Sequence, residues 1–273
     1  MDTKNASGLI PAQRRSLILE LIRQNGVISV QELSDVIDVS LSTIRRDLSW
    51  LARAGAVHRS HGGAALKTRQ ATTFEPSHQV SSRVAHREKA AIGKRAVERL
   101  EAHQSVIFDS SSTVYEAALQ VVREGLPLTA VTNDIRIAGL LAECSFIKLI
   151  VSGGSLREGS CTLLGEPGAT FLRRLHVDVA LIGIHAITDA TLCDTSTDVA
   201  EVKHHMAAAA KRVLVLADAA KFNSLAFCDA IDLKAVDEII TDQRLDPGSR
   251  RRLEKQGVHL CIAVPEADDP GSR

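Results

Sequence analysis

Aromatic side chains are scarce. Phe, Trp and Tyr make up 3% of the 273 residues, with one Trp and one Tyr. Any core must be packed from Leu, Ile, Val and Ala, which the 45% hydrophobic content supplies. No apolar run reaches the length of a membrane-spanning helix. The opening residues, MDTKNASGLIPAQRR, lack the basic-then-apolar order of a secretory signal, so a cytoplasmic location without membrane partners is expected. Five scattered cysteines (Cys144, Cys161, Cys193, Cys228, Cys261) form no C-x-x-C pair, which points to reduced thiols and not to a disulfide framework. His204 and His205 have no partner at ligand spacing, so neither a metal nor another cofactor is expected.

A net charge is lacking too: 33 Lys and Arg balance 33 Asp and Glu. The total conceals one basic segment. Between positions 40 and 67 stand Arg45, Arg46, Arg53, Arg59 and Lys67, against Asp47 alone. Such asymmetry suits a localised polyanion site, although a solvated basic face is the commoner meaning of charge alone.

The length allows one or two domains. A helix is predicted over 11–25, with Pro11 at its first position, Leu17, Ile18, Leu21 and Ile22 on one face, and Gly26 at its end. A second short helix follows in ISVQELSDVID, where Val30, Leu33, Val36 and Ile37 repeat at helical spacing. A third spans VSLSTIRRDLSWLARAG, Val39 to Gly55, and AVHRSHGGAAL then reads as a hairpin turning at Gly62-Gly63. Residues 68–85 are polar and weakly patterned, as a linker would be. Beyond them, SVIFD, LTAVT, IKLIVSGG, DVALIGI, RVLVLAD, EIITD and HLCIAV read as strands alternating with helices. That order predicts a mainly parallel sheet covered on both faces. The expected organisation is a tail at 1–10, a helical domain at 11–67, the linker at 68–85, an α/β domain at 86–264 and a tail at 265–273.

In the third helix, an advance of about 100° per residue gathers Leu41, Ile44, Leu48 and Leu51 in one sector. Ser42, Arg46, Ser49 and Arg53 cluster opposite, flanked by Thr43, Arg45 and Trp50, and Ser40 is placed to cap the start. One face can dock on the first two helices while the other points outward. Arg pairs bidentately with guanine or phosphate, and Ser and Thr donate to phosphates or base edges. In helix-turn-helix proteins the start of such a helix enters the major groove. Asp47 interrupts the basic face, where it can orient a neighbouring arginine. Trp50 either packs under the hairpin or stays partly exposed. A hairpin carrying His58, Arg59 and His61 completes a winged version.

VQELSDVIDVSLSTIRRDLSWLARAGAVHRSHGGAAL resembles the DNA-binding domain of the DeoR family of bacterial transcription regulators, through its TIRRDL core and its HGGA ending. The resemblance implies that Ser42, Thr43, Arg45 and Arg46 belong to the recognition helix, and Arg59, His61 and Gly62 to the wing. With Ser49, Arg53 and His58 they make up the expected contacts to double-stranded operator DNA.

In the second domain, small and polar clusters stand at strand ends. They are Asp109-Ser110-Ser111-Ser112-Thr113, Thr132-Asn133, Gly153-Gly154 with Arg157, and Asp218 with Lys221. Amides and hydroxyls at a helix start cradle anions, glycines allow a ligand to approach the backbone, and ligands of α/β sheets bind at the carboxyl ends of strands. Each cluster alone could be a capped helix or a turn. Four at equivalent positions favour a small, phosphorylated, hydroxyl-rich ligand. REKAAIGKRA, FDSSSTVYEAA, LTAVTND, VSGGSLRE, DVALIGI, AEVKHHM, LADAAKF and VDEIITD resemble the DeoR-family sensor domain. The resemblance implies a fold similar to ribose-5-phosphate isomerase and a sugar-phosphate or related effector. It adds Lys203 to the candidates, and His185 joins them from a strand end. Ser111 and Ala186 stand where the family often has Gly, which predicts added bulk near the pocket.

The rival reading is an isomerase with an accessory helical domain. Sugar-phosphate isomerisation needs a carboxylate base and partners for the oxyanion. Where the isomerase motif resembles DGADE, this chain reads IGIHAITDA, so most of that acid cluster is replaced, and Glu201 is expected to face solvent or orient Lys203. A protein-binding winged helix is a third reading, against which the Arg/Ser face argues. The expectation is a non-enzymatic repressor of a carbohydrate catabolic operon, a homodimer or homotetramer controlled by a phosphorylated sugar or polyol.

Overall fold

The computed structural model describes residues 10–25, 27–54, 56–59, 63–66, 72–73, 81–82 and 84–265. The chain divides into two compact units, Met1–Ala85 and His86–Arg273.

The first unit orders α1 (Pro11–Asn25), β1 (Val27–Ser29), α2 (Val30–Ile37), α3 (Leu41–Arg53), β2 (Val57–Arg59) and β3 (Gly63–Leu66). Ser29 and Glu32 form a capping box at α2: the Ser29 hydroxyl accepts from the Glu32 amide at 3.0 Å, and the Ser29 amide donates to the Glu32 carboxylate at 2.9 Å. Asp38 closes α2 in the left-handed region at φ 56°. Ser40 caps α3, its hydroxyl accepting from the Thr43 amide. Ile18, Ile22, Leu33, Ile37, Ile44 and Leu48 are fully buried and form the centre of the core. Leu17, expected beside Ile18, is exposed.

Two readings of this unit are corrected. Val27–Ser29 is a strand, not the lead-in to a helix, and the hairpin is one part of an antiparallel sheet of order β1-β3-β2. Gly63 is a strand residue paired with Ser29, not a turn residue. A Cβ there would lie 2.3 Å from the Ile28 carbonyl oxygen, so the glycine permits β3 to close on β1.

The second unit opens with α4 (His86–Val97), β4 (Ser105–Phe108), α5 (Ser112–Glu124), β5 (Leu128–Thr132), α6 (Ile135–Ala142) and β6 (Ile147–Val151). It continues with β7 (Ser155–Leu156), β8 (Leu163–Leu164), α7 (Gly168–Leu172), β9 (Val177–Gly183), β10 (Ala186–Ile187) and β11 (Thr191–Asp194). Last come α8 (Thr197–Ala209), β12 (Ala210–Leu216), β13 (Cys228–Asp232), β14 (Glu238–Asp242), α9 (Pro247–Lys255) and β15 (Leu260–Ala263). Seven strands form one sheet, in the order β15-β14-β12-β9-β4-β5-β6, and every pairing in it is parallel.

Alternate strand residues feed two cores. Ala180, Ile182, Val213 and Val215 face one, while Val179, Leu181, Leu214 and Leu216 face the other. Because all seven strands run the same way, Asp109, Asn133, Ser152, Ile184, Ala217 and Gln243 begin the loops at one edge of the sheet. The antiparallel β10-β11-β13 sheet and α9 add elements that the sequence pattern did not reveal.

Candidate DNA interface and sensor site

On α3, Ser42, Arg45, Arg46 and Arg53 are exposed, and Thr43 and Ser49 are half-buried. The Ser40 hydroxyl lies 2.9 Å from both the Ser42 and Thr43 hydroxyls, which gathers three oxygens at the helix start. Ser49 donates back to the Arg45 carbonyl at 2.7 Å, and Arg53 Nε to the Ser49 carbonyl at 3.3 Å. His58 and Arg59 lie on β2. His61 and Gly62 fall outside the described residues.

Asp47 does not orient an arginine of its own helix. It is 1% exposed and accepts from Arg14 Nε at 2.6 Å and Arg15 Nε at 2.8 Å, both on α1. The angular count held that signal, since position 47 is three residues past Ile44 and so about 60° from it on the helix, beside the apolar sector. Trp50 is 45% exposed and carries the Arg15 guanidinium over its ring at 4.4 Å.

In the second unit, Asp109 leaves the end of β4 almost fully buried. It accepts from the Gly183 amide at 3.0 Å and from the Lys203 ammonium. Lys203, buried on α8, also donates to the Gly183 carbonyl at 2.7 Å and stands 3.8 Å from the Asp194 carboxylate. Burial pushes the Asp109 carboxyl above its usual range, and the Lys203 charge pulls it back. The Lys203 charge is thus balanced by two carboxylates.

Ser110 is tied down on three sides. Its amide donates to Asn133 Oδ1 at 3.0 Å, and its hydroxyl donates to Asp134 at 2.8 Å and lies 2.7 Å from the Thr162 hydroxyl. Thr132 and Asn133 are fully buried. Thr132 donates to the Phe108 carbonyl at 2.8 Å, and Asn133 to the Leu163 carbonyl at 3.4 Å. These two join the turns after β4 and β5 to β8. Ser111 caps α5, its hydroxyl accepting from the Thr113 amide at 3.2 Å.

Asp218, two residues past the end of β12, is buried and accepts from the Ala220 amide at 3.0 Å; Lys221 follows, half-buried. Arg157 is half-buried next to β7, its amide donating to the Thr162 carbonyl at 2.9 Å, and His185 is half-buried between β9 and β10. A cavity of about 330 Å³ lies at the opposite, amino ends of β5 and β6, between His103 and Lys148, away from these groups.

Two family profiles match this chain: the DeoR-like helix-turn-helix domain over residues 14–70, and the DeoR C terminal sensor domain over residues 84–243. The chain belongs to the DeoR family of transcriptional regulators. It is 36% identical to an uncharacterised helix-turn-helix transcriptional regulator, YgbI, of Escherichia coli K12, over 94% of this chain and 100% of that protein. It is 31% identical to a putative aga operon transcriptional repressor of Escherichia coli O157:H7, covering 92% and 93%. It is 30% identical to the transcriptional repressor GlcR of Bacillus subtilis 168, covering 92% and 95%. Among solved structures, ribose 5-phosphate isomerase A of Methanocaldococcus jannaschii aligns at a TM-score of 0.37 and 16% identity, over 50% of this chain and 55% of that one.

Within this DeoR-family sensor domain, two sequence readings change. Gly153 and Gly154 have φ of 82° and 113°, but the close approach that Gly154 allows is to the chain itself: a Cβ there would lie 2.5 Å from the Leu164 carbonyl oxygen. Ala186 does not add bulk to a pocket, because it is buried in a small cluster with Cys193 and Ala226. Ser111 does add bulk, and the bulk rests on Gly183, where a Cβ would lie 2.2 Å from the Ser111 Cβ.

The sequence reading missed Lys89, Glu116 and Asp194. Lys89 is 4% exposed on α4 and Glu116 is 8% exposed on α5. Lys89 stands three and four residues before the buried Ile92 and Gly93, inside the apolar stripe of α4. A lysine at that spacing was the available signal.

Proposed function

We propose that this regulator is a repressor of a carbohydrate catabolic operon, acting in the cytoplasm as a homodimer or homotetramer. The observation that carries the reading is the two-sided α3. One side is held by Asp47 and the apolar core, and the other presents Ser42, Arg45 and Arg46 to solvent. A helix fixed in this way can enter a major groove with its start against base edges. Symmetric copies would read a repeated or palindromic operator. The repressor names of the GlcR and aga-operon relatives support the sign.

The effector is a phosphorylated sugar or polyol held over the carboxyl ends of β4, β9 and β12. Asp109, Ser110 to Thr113, Lys203, Asp218 and Lys221 supply the carboxylates, hydroxyls and cations there. Thr132, Asn133, Gly153 and Gly154 shape its floor, with Arg157 and His185 at its margin. No catalysis is assigned. Asp109 and Asp194 both neutralise Lys203, which ties up the carboxylates a proton-abstracting base would need.

The test is DNA binding by the full chain to fragments from its own locus, across a salt series, with and without phosphorylated sugars. Binding should weaken linearly on a log–log salt plot, and one sugar phosphate should change it. Absence of binding at low salt would remove the regulator reading, and turnover of ribose 5-phosphate would remove the non-enzymatic one.

A further inference from the structure

The outward side of α3 has two flanks, and so far one of them carries a contact. At about 100° per residue, Ser42, Arg46, Ser49 and Arg53 centre on one direction, with Arg45 about 70° to one side of it and Trp50 about 70° to the other. A helix with its side chains is about 10–12 Å across, and the major groove is about 12 Å wide. A helix seated there fills the groove, so each flank meets one of the two phosphate strands that wall it. Arg45 suits one strand. The opposite flank holds Trp50.

Trp50 is 45% exposed, and its indole N–H has no hydrogen-bond partner among the described residues. Arg15 of α1 lies over the ring, its guanidinium carbon 4.4 Å from the ring centre. Asp47 fixes it from the buried side, accepting from Arg15 Nε at 2.8 Å and from Arg14 Nε at 2.6 Å. The two arginines differ in access: the Arg14 side chain is 13% exposed and that of Arg15 is 23% exposed. The two terminal amino groups of Arg15 make no hydrogen bond among the described residues. A carboxylate and a ring thus hold a cation in place and leave its outer donors unused. A guanidinium fixed beforehand loses little side-chain freedom when it meets an anion, and its planar fork matches a phosphate.

We infer that Arg15 and the Trp50 indole form a backbone contact of the DNA-binding unit, taking a phosphate of the strand opposite the one that Arg45 meets. Arg15 supplies the charge. Trp50 supplies a neutral donor and the platform on which Arg15 rests, and Asp47 is the anchor beneath both. An indole joins an apolar face to one polar N–H, which suits a site that is packed on one side and polar on the other. The inference rests on the DNA-binding reading given above. It adds a contact from α1, outside α3 and the hairpin, and makes the α1–α3 joint part of the DNA surface.

Phosphate contacts do not depend on sequence, so duplex DNA of arbitrary sequence is the probe, titrated at low and rising salt. The full natural chain is compared with Arg15→Gln, Arg15→Lys and Trp50→Phe, each checked for a native circular dichroism spectrum. Arg15→Gln should bind about fivefold more weakly at low salt, with a log–log salt slope smaller by about 0.9. Arg15→Lys should keep the slope, because the charge remains. Trp50→Phe keeps a ring under Arg15 and removes the N–H, so it should lose about threefold in affinity at an unchanged slope. In the natural chain, DNA should shield Trp50, the lone tryptophan, from quenching by acrylamide. A folded Arg15→Gln protein with the natural slope would overturn the inference. So would an indole equally open to acrylamide with and without saturating DNA, a measurement that needs no variant to fold. Shielding that follows protein concentration and not DNA would give this face to a second copy of the chain and overturn the inference as well. Failure of the natural chain to bind any duplex at low salt is a separate result: it removes the DNA-binding reading itself, and this contact with it.

Discussion

Arg15 bridges two residues of α3: its guanidinium lies 4.4 Å above the Trp50 ring and its Nε is 2.8 Å from Asp47. With Arg14 it turns a buried carboxylate into a joint between α1 and α3. Asp47→Asn should therefore destabilise the DNA-binding unit by about 1–3 kcal/mol. That is less than the full cost of breaking a buried pair, because both arginines retain some contact with water. Thermal melts followed by circular dichroism should show the first unit melting earlier, with the second unchanged. A common shift of both transitions would count against this local role.

The outward face of the same helix separates the two adjacent arginines. Arg46→Ala should cost about 1–3 kcal/mol of operator binding and relax discrimination at one base pair. Arg45→Ala should weaken all sequences alike and reduce the salt slope by about one. Fluorescence anisotropy on matched and mismatched operators distinguishes the two. Equal behaviour of the two variants would refute their assignment to base and phosphate.

Lys203→Met would leave Asp109 and Asp194 buried without their shared cation. Such a loss should cost about 3–5 kcal/mol in urea unfolding, and the double change with Asp109→Asn should recover part of it. The sign of the pH dependence follows from burial, which raises the Asp109 carboxyl in the folded chain. Without Lys203 the folded state holds a proton that the unfolded state has released. Stability of Lys203→Met should then fall as pH rises through the folded-state titration of Asp109. A variant that instead gained stability with rising pH would contradict the assignment.

Gly183 and Ser111 are sterically coupled. Gly183→Ala would put a Cβ 2.2 Å from Ser111 Cβ and Oγ, a clash expected to cost about 1–3 kcal/mol. Ser111→Gly removes the obstacle and forfeits only a few tenths of a kcal/mol of capping. The double variant should be more stable than Gly183→Ala alone. Simple additivity in a double-mutant cycle would refute the coupling.

Lys89 carries a stability cost at neutral pH. Its ammonium titrates at about 8 in the folded chain against 10.5 in the unfolded one. Below 8 the full cost of burying the charge is present, up to about 3 kcal/mol. Between those values the unfolded state binds more protons, so stability rises with pH. Lys89→Met should raise the unfolding midpoint near pH 7, with the advantage shrinking toward pH 10. A destabilised Lys89→Met protein at pH 7 would argue that the lysine serves the fold.

Much of this was legible because periodicity reports burial. The apolar sector of α3 and the runs LTAVT and EIITD correspond to observed elements, since each is continuous and strongly patterned. Elements that escaped have little pattern to read. PGSRRRLEK of α9 buries only Leu253 among its apolar positions, and β10 has two residues. Charged residues were misjudged for a different reason. Asp47 and Lys89 occupy core positions, but composition assigns such side chains to solvent unless their partners are known. The partner of Asp47, Arg14, lies 33 residues away along the chain, so spacing alone does not supply it. Gly154 was misjudged similarly, because its crowding partner, Leu164, is ten residues away across a hairpin.

The scarcity of aromatic residues leaves Trp50 as the lone indole of the chain, and it stands on α3. Selectively excited intrinsic emission therefore comes from the DNA-binding unit alone. Any change in that emission when a small molecule binds the other unit, with no DNA present, is a direct optical record of a signal crossing between the two.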